Sequence, residues 1–330
     1  MTLTTVPQYD GDRGRPRSDR AIVVGAGIAG LLTARVLADT FETVTVVERD
    51  RFPTEPIPRR GVPQSRHIHV LLEAGRATLE SLFPGYGADL LAAGGLEIDS
   101  ATDLAFYAEG DFLAPGPTPL PHFAATRPLY EQLVRSRLAA VDGVTLRDGT
   151  RFTDYRVDRT GRTVTGVVVE NEAGGTAELD AALVVDATGR TSRTPAWLES
   201  HGYEPPPVEQ VHIDLAYGTA LVERPTDDHR AFLVSPSASE PRGAGVLPVE
   251  DGRWVVTVAG FHGDHPPADP DGFRTFAAGL PIRDVARLLD EHALVGEEIA
   301  RYPFPSNVRR RYESLDEFPA GLLVVGDGIA

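Results

Sequence analysis

A chain of 330 residues is long enough to bury two cores, so about two domains are expected. Its formal net charge of -16 opposes a nucleic-acid partner, because phosphate contacts need clustered cations, and its lack of cysteine excludes disulfides, thiolate metal sites and a cysteine nucleophile. No apolar run reaches the roughly 18 residues that cross a bilayer and no signal peptide opens the chain, so a cytoplasmic protein without stable membrane insertion is expected.

Residues 1–19 (MTLTTVPQYDGDRGRPRSD) lack apolar periodicity and read as a disordered lead-in, with order beginning at Ala21. The run AIVV is a short buried strand, GAGIAG a glycine turn, and LLTARVLAD a helix with apolar positions at helical spacing. TVTVVER follows as a second strand, parallel to the first through a right-handed crossover. PTEPIPRRGVPQ is a proline-rich loop, and a helix is predicted through His69–Phe83. Residues 95–113 alternate like strand, and Pro128 suits the first turn of a helix running through Leu138. Strand-like runs end in ALVVD at 182–186; further strands cover about 211–260, including AGVLPVE and RWVVTVAG around a turn at Asp251-Gly252. A helical patch at about 270–290 and a buried strand at 321–325 complete the reading.

Gly25, Gly27 and Gly30 spell G-x-G-x-x-G between a strand and a helix, and Glu48 closes the next strand. In that context each glycine has a distinct task. Gly25 permits a tight turn, Gly27 lets the backbone approach a pyrophosphate, and Gly30 lets helix and strand pack closely. The helix N-terminus at Ile28 and Ala29 offers unpaired N–H groups and partial positive charge to phosphates. Glu48, followed by Arg49, would accept hydrogen bonds from ribose hydroxyls and repel a 2′-phosphate.

Three further runs carry a resemblance. RRGVPQSRH at 59–67, DATGR at 186–190 and VVGD at 324–327 resemble, in order, the R-x-G-V loop, the D-x-x-G turn and the second Gly-Asp motif of the flavoprotein superfamily of p-hydroxybenzoate hydroxylase, geranylgeranyl reductase and the flavin halogenases. The resemblance implies an α/β fold: a Rossmann-type FAD-binding domain from residues 20–90, 123–195 and 304–330, with a mainly β substrate domain (α+β) inserted as 91–122 and 196–303. It implies FAD held by Gly25, Gly27, Ile28, Ala29, Gly30, Glu48, Arg49, Arg59, Gly61, Val62, Arg127, Asp186, Gly189, Gly326 and Asp327, with Arg59 near the flavin and Asp327 on a ribityl hydroxyl.

RRGVPQSRHIHVLL, EDGRWVVTVAG and PPADPDGFRTFA also resemble bacterial flavin epoxidases of polyether biosynthesis. The implied activity is hydroxylation or epoxidation of a small apolar substrate through a flavin C4a-hydroperoxide, with molecular oxygen as co-substrate and NAD(P)H as transient reductant. In the family a loop and a long helix follow the second Gly-Asp motif, so a chain ending at Ala330 reads as C-terminally truncated. A reductase of isoprenoid-type double bonds is the alternative, and a flavin-binding remnant without turnover another. Halogenation resembles a lysine-dependent reaction, and this chain has no lysine and no W-x-W-x-I-P run.

No residue declares itself a catalytic base, and no metal site is expected. His67 and His69 follow the flavin loop and read as hydrogen-bonding or helix-start residues; His262 and His265 read as loop residues. Arg309, Arg310 and Arg311 read as a solvated face, and Trp254 as core or pocket wall.

Overall fold

The computed structural model describes residues 9–11 and 17–330, so most of the lead-in assigned to 1–19 lies outside the described residues. The first strand, Arg17–Val24, begins ahead of Ala21 because its parallel pairing with Phe41–Val47 extends back to Arg17↔Phe41.

The chain divides into two compact units. The first is α/β and gathers Tyr9–Gly61, Glu131–Val211 and Asn307–Ala330. Its parallel sheet has the order 322–324, 183–186, 17–24, 41–47, 144–147. Continuous apolar runs such as Ala21–Val24 are what a parallel strand buried on both faces requires. The helix Ile28–Ala38 returns the chain between the first two strands and buries Gly30, Leu31 and Ala34. A three-stranded antiparallel sheet (150–157, 164–171, 176–180) adds Tyr155, Val164, Val167 and Val169 to a core shared with Ile22, Val24, Val184 and Trp197.

The second unit gathers Val62–Tyr130 and His212–Ser306 around a seven-stranded sheet. Its order is 300–310, 208–223, 253–261, 242–249, 231–234, 104–108, 111–112. Asp251 and Gly252, both at positive φ, turn the chain between Arg242–Val249 and Arg253–Phe261. Side chains alternate across the sheet. One face presents Ala220, Val222, Trp254, Val256 and Val258, covered by Phe273, Phe276 and Ala277 of helix Pro270–Ala278 and by Val285, Leu288 and Leu289 of helix Asp284–Glu291. The helical patch is therefore two helices; the first starts at Pro270 because Asp269 caps it, accepting from the Gly272 N–H at 2.8 Å.

The unit boundaries differ from those expected. Residues 62–90, assigned from sequence to the nucleotide-binding domain, belong to the sheet-rich unit. The cause is packing: Ile68 lies so close over Gly245 that a Cβ there would meet it at 2.8 Å, and Leu71 bridges Phe123. The same contacts keep the chain extended through Leu72, so the helix predicted from His69 begins at Glu73.

On the other face of the large sheet, Thr219 and Thr257 sit opposite each other across neighbouring strands, with their Oγ1 atoms 2.7 Å apart. His67 Nδ1 lies 2.7 Å from Thr219 Oγ1, and the Ile68 N–H donates to Thr257 Oγ1 at 3.2 Å. All three side chains are buried. Burial, with the charges of His69 and Arg66 behind it, lowers the His67 pKa to about 4. The unfolded imidazole titrates near 6.5, so between those values the unfolded chain binds the extra proton. The resulting stability is complete above pH 6.5 and lost as pH falls toward 4. Between pH 7 and 4.5, chemical denaturation of the wild type is expected to lose about 2 kcal/mol more than that of His67→Gln. Equal losses in the two proteins would contradict a buried neutral imidazole.

Candidate dinucleotide site

The fingerprint glycines occupy three different environments within the α/β unit. Gly25 has φ +101°, and a Cβ there would lie 2.6 Å from the Ala187 carbonyl oxygen, so only glycine makes the turn. A Cβ on Gly30 would lie 1.9 Å from the Gly25 carbonyl oxygen, which forces helix and turn into contact at that residue. Gly27 has φ -71° and nothing within 4 Å of its would-be Cβ. It caps the helix without any side-chain hydrogen bond, and the first intrahelical bond runs from the Leu31 N–H to Gly27 O. The amides of Ile28 and Ala29 therefore head a helix whose mouth borders open space. That geometry fits a diphosphate.

Glu48 and Arg59 brace the turn from behind. Glu48 follows the strand Phe41–Val47 and is buried; its Oε2 accepts from the Ala26 N–H at 2.9 Å and its Oε1 from the Asp50 N–H at 3.0 Å. Arg59 Nη2 donates to the Ala26 carbonyl at 2.9 Å, so the two side chains hold Ala26 by its N–H and by its C=O. Arg59 Nη1 lies 3.2 Å from Glu48 Oε2 and 3.6 Å from Asp50 Oδ2, as ion pairs without hydrogen-bond geometry. Gly61 N–H donates to Asp50 Oδ2 at 2.5 Å, joining the R-x-G-V loop to the same cluster. Arg49 is exposed beside it.

Sequence reasoning missed the strongest partner of Arg59. Glu131 Oε1 accepts from Arg59 Nε at 2.8 Å and from Nη2 at 2.6 Å, and Arg135 Nη1 stands 3.8 Å from the same oxygen. Burial opposes the Arg59 charge, but Glu131 and Glu48 outweigh it and hold the guanidinium above its ordinary pKa. The signal was present: Glu131 and Arg135 share the buried helical stripe with Val134 and Leu138.

The remaining motifs meet the helix mouth from the strand ends. Asp186 is buried, and its carboxylate is consumed locally: Oδ1 accepts from the Thr188 N–H (2.8 Å) and hydroxyl (2.6 Å), Oδ2 from Ser192 and Thr194 hydroxyls (both 2.5 Å). It shapes the DATGR turn. Gly326, at φ +63°, abuts Ala29, since a Cβ on it would lie 2.9 Å from the Ala29 Cβ. Gly189 lies next to Asp327, which is exposed. Arg310, read from sequence as part of a solvated face, instead links the two turns, donating to the carbonyls of Gly328 (3.2 Å) and Arg190 (3.0 Å). Val62 and Arg127 belong to the sheet-rich unit, where burial, with the Arg127 charge behind it, lowers the His69 pKa. Among the described residues no group of three or more His, Asp or Glu could hold a metal ion, and no helix is long and apolar enough to cross a membrane.

Removing one member of a buried charge cluster strands the others. Arg59→Met is expected to destabilise the protein by about 3–5 kcal/mol in urea denaturation, and adding Glu131→Leu to recover much of that loss. If the double variant is as unstable as the sum of its single changes, Arg59 and Glu131 are not coupled.

The sequence matches the FAD binding domain family over residues 19–314. It is 35% identical over 329 residues to Protein Rv3254 of Mycobacterium tuberculosis, covering 96% of this chain and 69% of that protein. Among solved structures, the flavin-dependent brominase Bmp2 superposes with a TM-score of 0.68 at 15% identity, covering 94% of this chain and 72% of the brominase. The probable FAD-dependent monooxygenase pqsL of Pseudomonas aeruginosa gives 0.65 at 18% identity (94% and 79% covered), and p-nitrophenol 4-monooxygenase PnpA of Pseudomonas putida gives 0.64 at 17% (96% and 74% covered). At these identities the structural likeness speaks for the fold, while the sequence match over nearly the whole chain decides the family: this protein belongs to the FAD binding domain family.

Proposed function

We propose that this protein is an FAD-dependent monooxygenase that takes electrons from NAD(P)H and inserts one oxygen atom of O2 into a small apolar organic substrate, by hydroxylation or epoxidation, while the other oxygen leaves as water. The observation that carries the cofactor assignment is the open mouth of helix Ile28–Ala38, where Gly27 leaves room and, among the described residues, no side chain caps the amides. Two of the structural neighbours bear monooxygenase names, and the absence of lysine disfavours the lysine-dependent halogenation.

In this reading the amides of Ile28 and Ala29 take the diphosphate, and the helix dipole offsets its charge. Glu48 keeps lone pairs beyond its two backbone bonds and accepts from the adenosine ribose hydroxyls. Asp327, exposed beside Gly189, accepts from the ribityl chain. Asp186 and Arg59 act through the loops they hold rather than by touching the cofactor. When bound, reduced FAD supplies the electrons that activate oxygen.

Gly27→Ala tests the cofactor assignment. The new methyl enters open space, so stability is expected to change by less than about 1 kcal/mol. Loss of charge-assisted amide contacts worth about 1.5–3 kcal/mol is expected to weaken FAD binding roughly 10–100-fold, read by flavin fluorescence titration of apoprotein. Unchanged affinity would move the diphosphate elsewhere. The activity itself is tested by stopped-flow absorbance: anaerobic NADH or NADPH is expected to bleach the flavin bands, and oxygenated buffer to restore them. No bleaching with either nucleotide would leave a flavin-binding protein without turnover.

A further inference from the structure

The buried chain of His67, Thr219 and Thr257 has one proton per hydroxyl, and counting protons fixes its direction. Thr257 Oγ1 accepts from the Ile68 N–H, and its own proton needs an acceptor. Were His67 Nδ1 the donor to Thr219, the Thr219 proton would pass to Thr257. The Thr257 proton would then have no acceptor in the cluster. The opposite direction, Thr257 to Thr219 to His67 Nδ1, uses every proton. Nδ1 is therefore an acceptor, and the neutral ring carries its proton on Nε2. Burial keeps the ring uncharged at neutral pH.

The sequence and the sheet both support a built arrangement. His67 comes from the loop before helix Glu73–Leu82, whereas Thr219 and Thr257 come from paired strands far along the chain, and all three are more than nine-tenths buried. No acceptor meets His67 Nε2 among the described residues, although Nδ1 is firmly held. Tyr217 and Tyr302 flank the ring, with centroids 6.0 and 5.6 Å away and planes tilted 43° and 55°. A single oriented N–H donor between aromatic rings is how a protein fixes the orientation of a mostly apolar ligand.

We propose that His67 is the polar contact of a ligand subsite in the sheet-rich unit, where its Nε2–H donates to the carbonyl-type oxygen of a planar, unsaturated compound. The proposal rests on the reading above only in treating that compound as the substrate; the subsite itself is a property of this unit. His67 is a binding residue here and moves no proton in the reaction. Thr219 and Thr257 are positioning residues that set its tautomer.

The test uses the FAD-loaded full chain with two probes of one shape, acetophenone, which carries the acceptor, and ethylbenzene, which lacks it. Dissociation constants are measured without nicotinamide, and the His67 ring nitrogens are followed by 15N–1H NMR. The wild type is expected to show the Nε2–H tautomer and to bind acetophenone about tenfold more tightly than ethylbenzene. His67→Leu is expected to abolish that preference, His67→Gln to keep part of it through its amide donor, and Thr257→Val to admit the other tautomer. A proton on Nδ1 in the wild type, equal affinities for the two probes, or an undiminished preference in a folded His67→Leu variant would each overturn the proposal. So would a failure of acetophenone to bind, which would leave Nε2–H to water. A protein that prefers acetophenone through His67 but is never bleached by NADH or NADPH refutes the monooxygenase reading and upholds the subsite.

Discussion

The contact between the Gly30 backbone and the Gly25 carbonyl is the constraint on which the α/β unit is arranged. With no room for a Cβ at Gly30, the helix is drawn against the turn that launches it, and the positive φ of Gly25 aims that turn across the ends of the parallel strands. The helix N-terminus then stands at the strand ends, where Gly326 abuts Ala29 and the Asp186 turn closes beside it. In an open parallel sheet such a crevice outside the carboxyl ends of the strands is where a ligand binds. Gly27 remains the one fingerprint glycine with space before it.

Charge buried beneath this turn makes it rigid rather than reactive. Glu48, Arg59 and Glu131 form a nearly dry cluster in which each charge has a partner, and two of them grip the peptide groups of Ala26. Asp186 does the same for the second loop with four hydrogen bonds. Such clusters add little net stability over an apolar core, yet they strongly disfavour any rearrangement that would strand a charge. The sheet-rich unit follows a different economy. Its helix-covered face is lined mainly by apolar side chains, with Arg242 lying over the Phe276 ring, and the other face carries the Thr219–Thr257 pair under His67.

What the sequence made legible was local. The G-x-G-x-x-G run, the strands on either side of it, the turn at Asp251-Gly252 and the helix opening near Pro128 all depend on residues within a few positions of one another, and each formed within a few residues of where its pattern placed it. Contacts between distant segments stayed hidden. Arg59 and Glu131 are 72 residues apart, and His67 and Thr219 are 152 apart, so neither partner announces the other. The loop after Gly61 illustrates the same limit: its apolar residues read as helix from His69, but packing on Gly245 and pairing with Phe123 hold it extended as far as Leu72. The short helix Tyr86–Ala92 was likewise unexpected, because it starts from a left-handed Gly85 and a Glu80 carboxylate that accepts from the Gly85 and Gly87 amides.

A dinucleotide's diphosphate lying against the mouth of the first helix would be felt first by the amide resonances of Ile28 and Ala29 in 15N-labelled apoprotein. Titration with FAD is predicted to shift both strongly, and riboflavin, which has the same ring but no diphosphate, to leave them near their apo positions. Amides that ignore FAD, or that respond equally to riboflavin, would mean that the diphosphate does not lie at this helix.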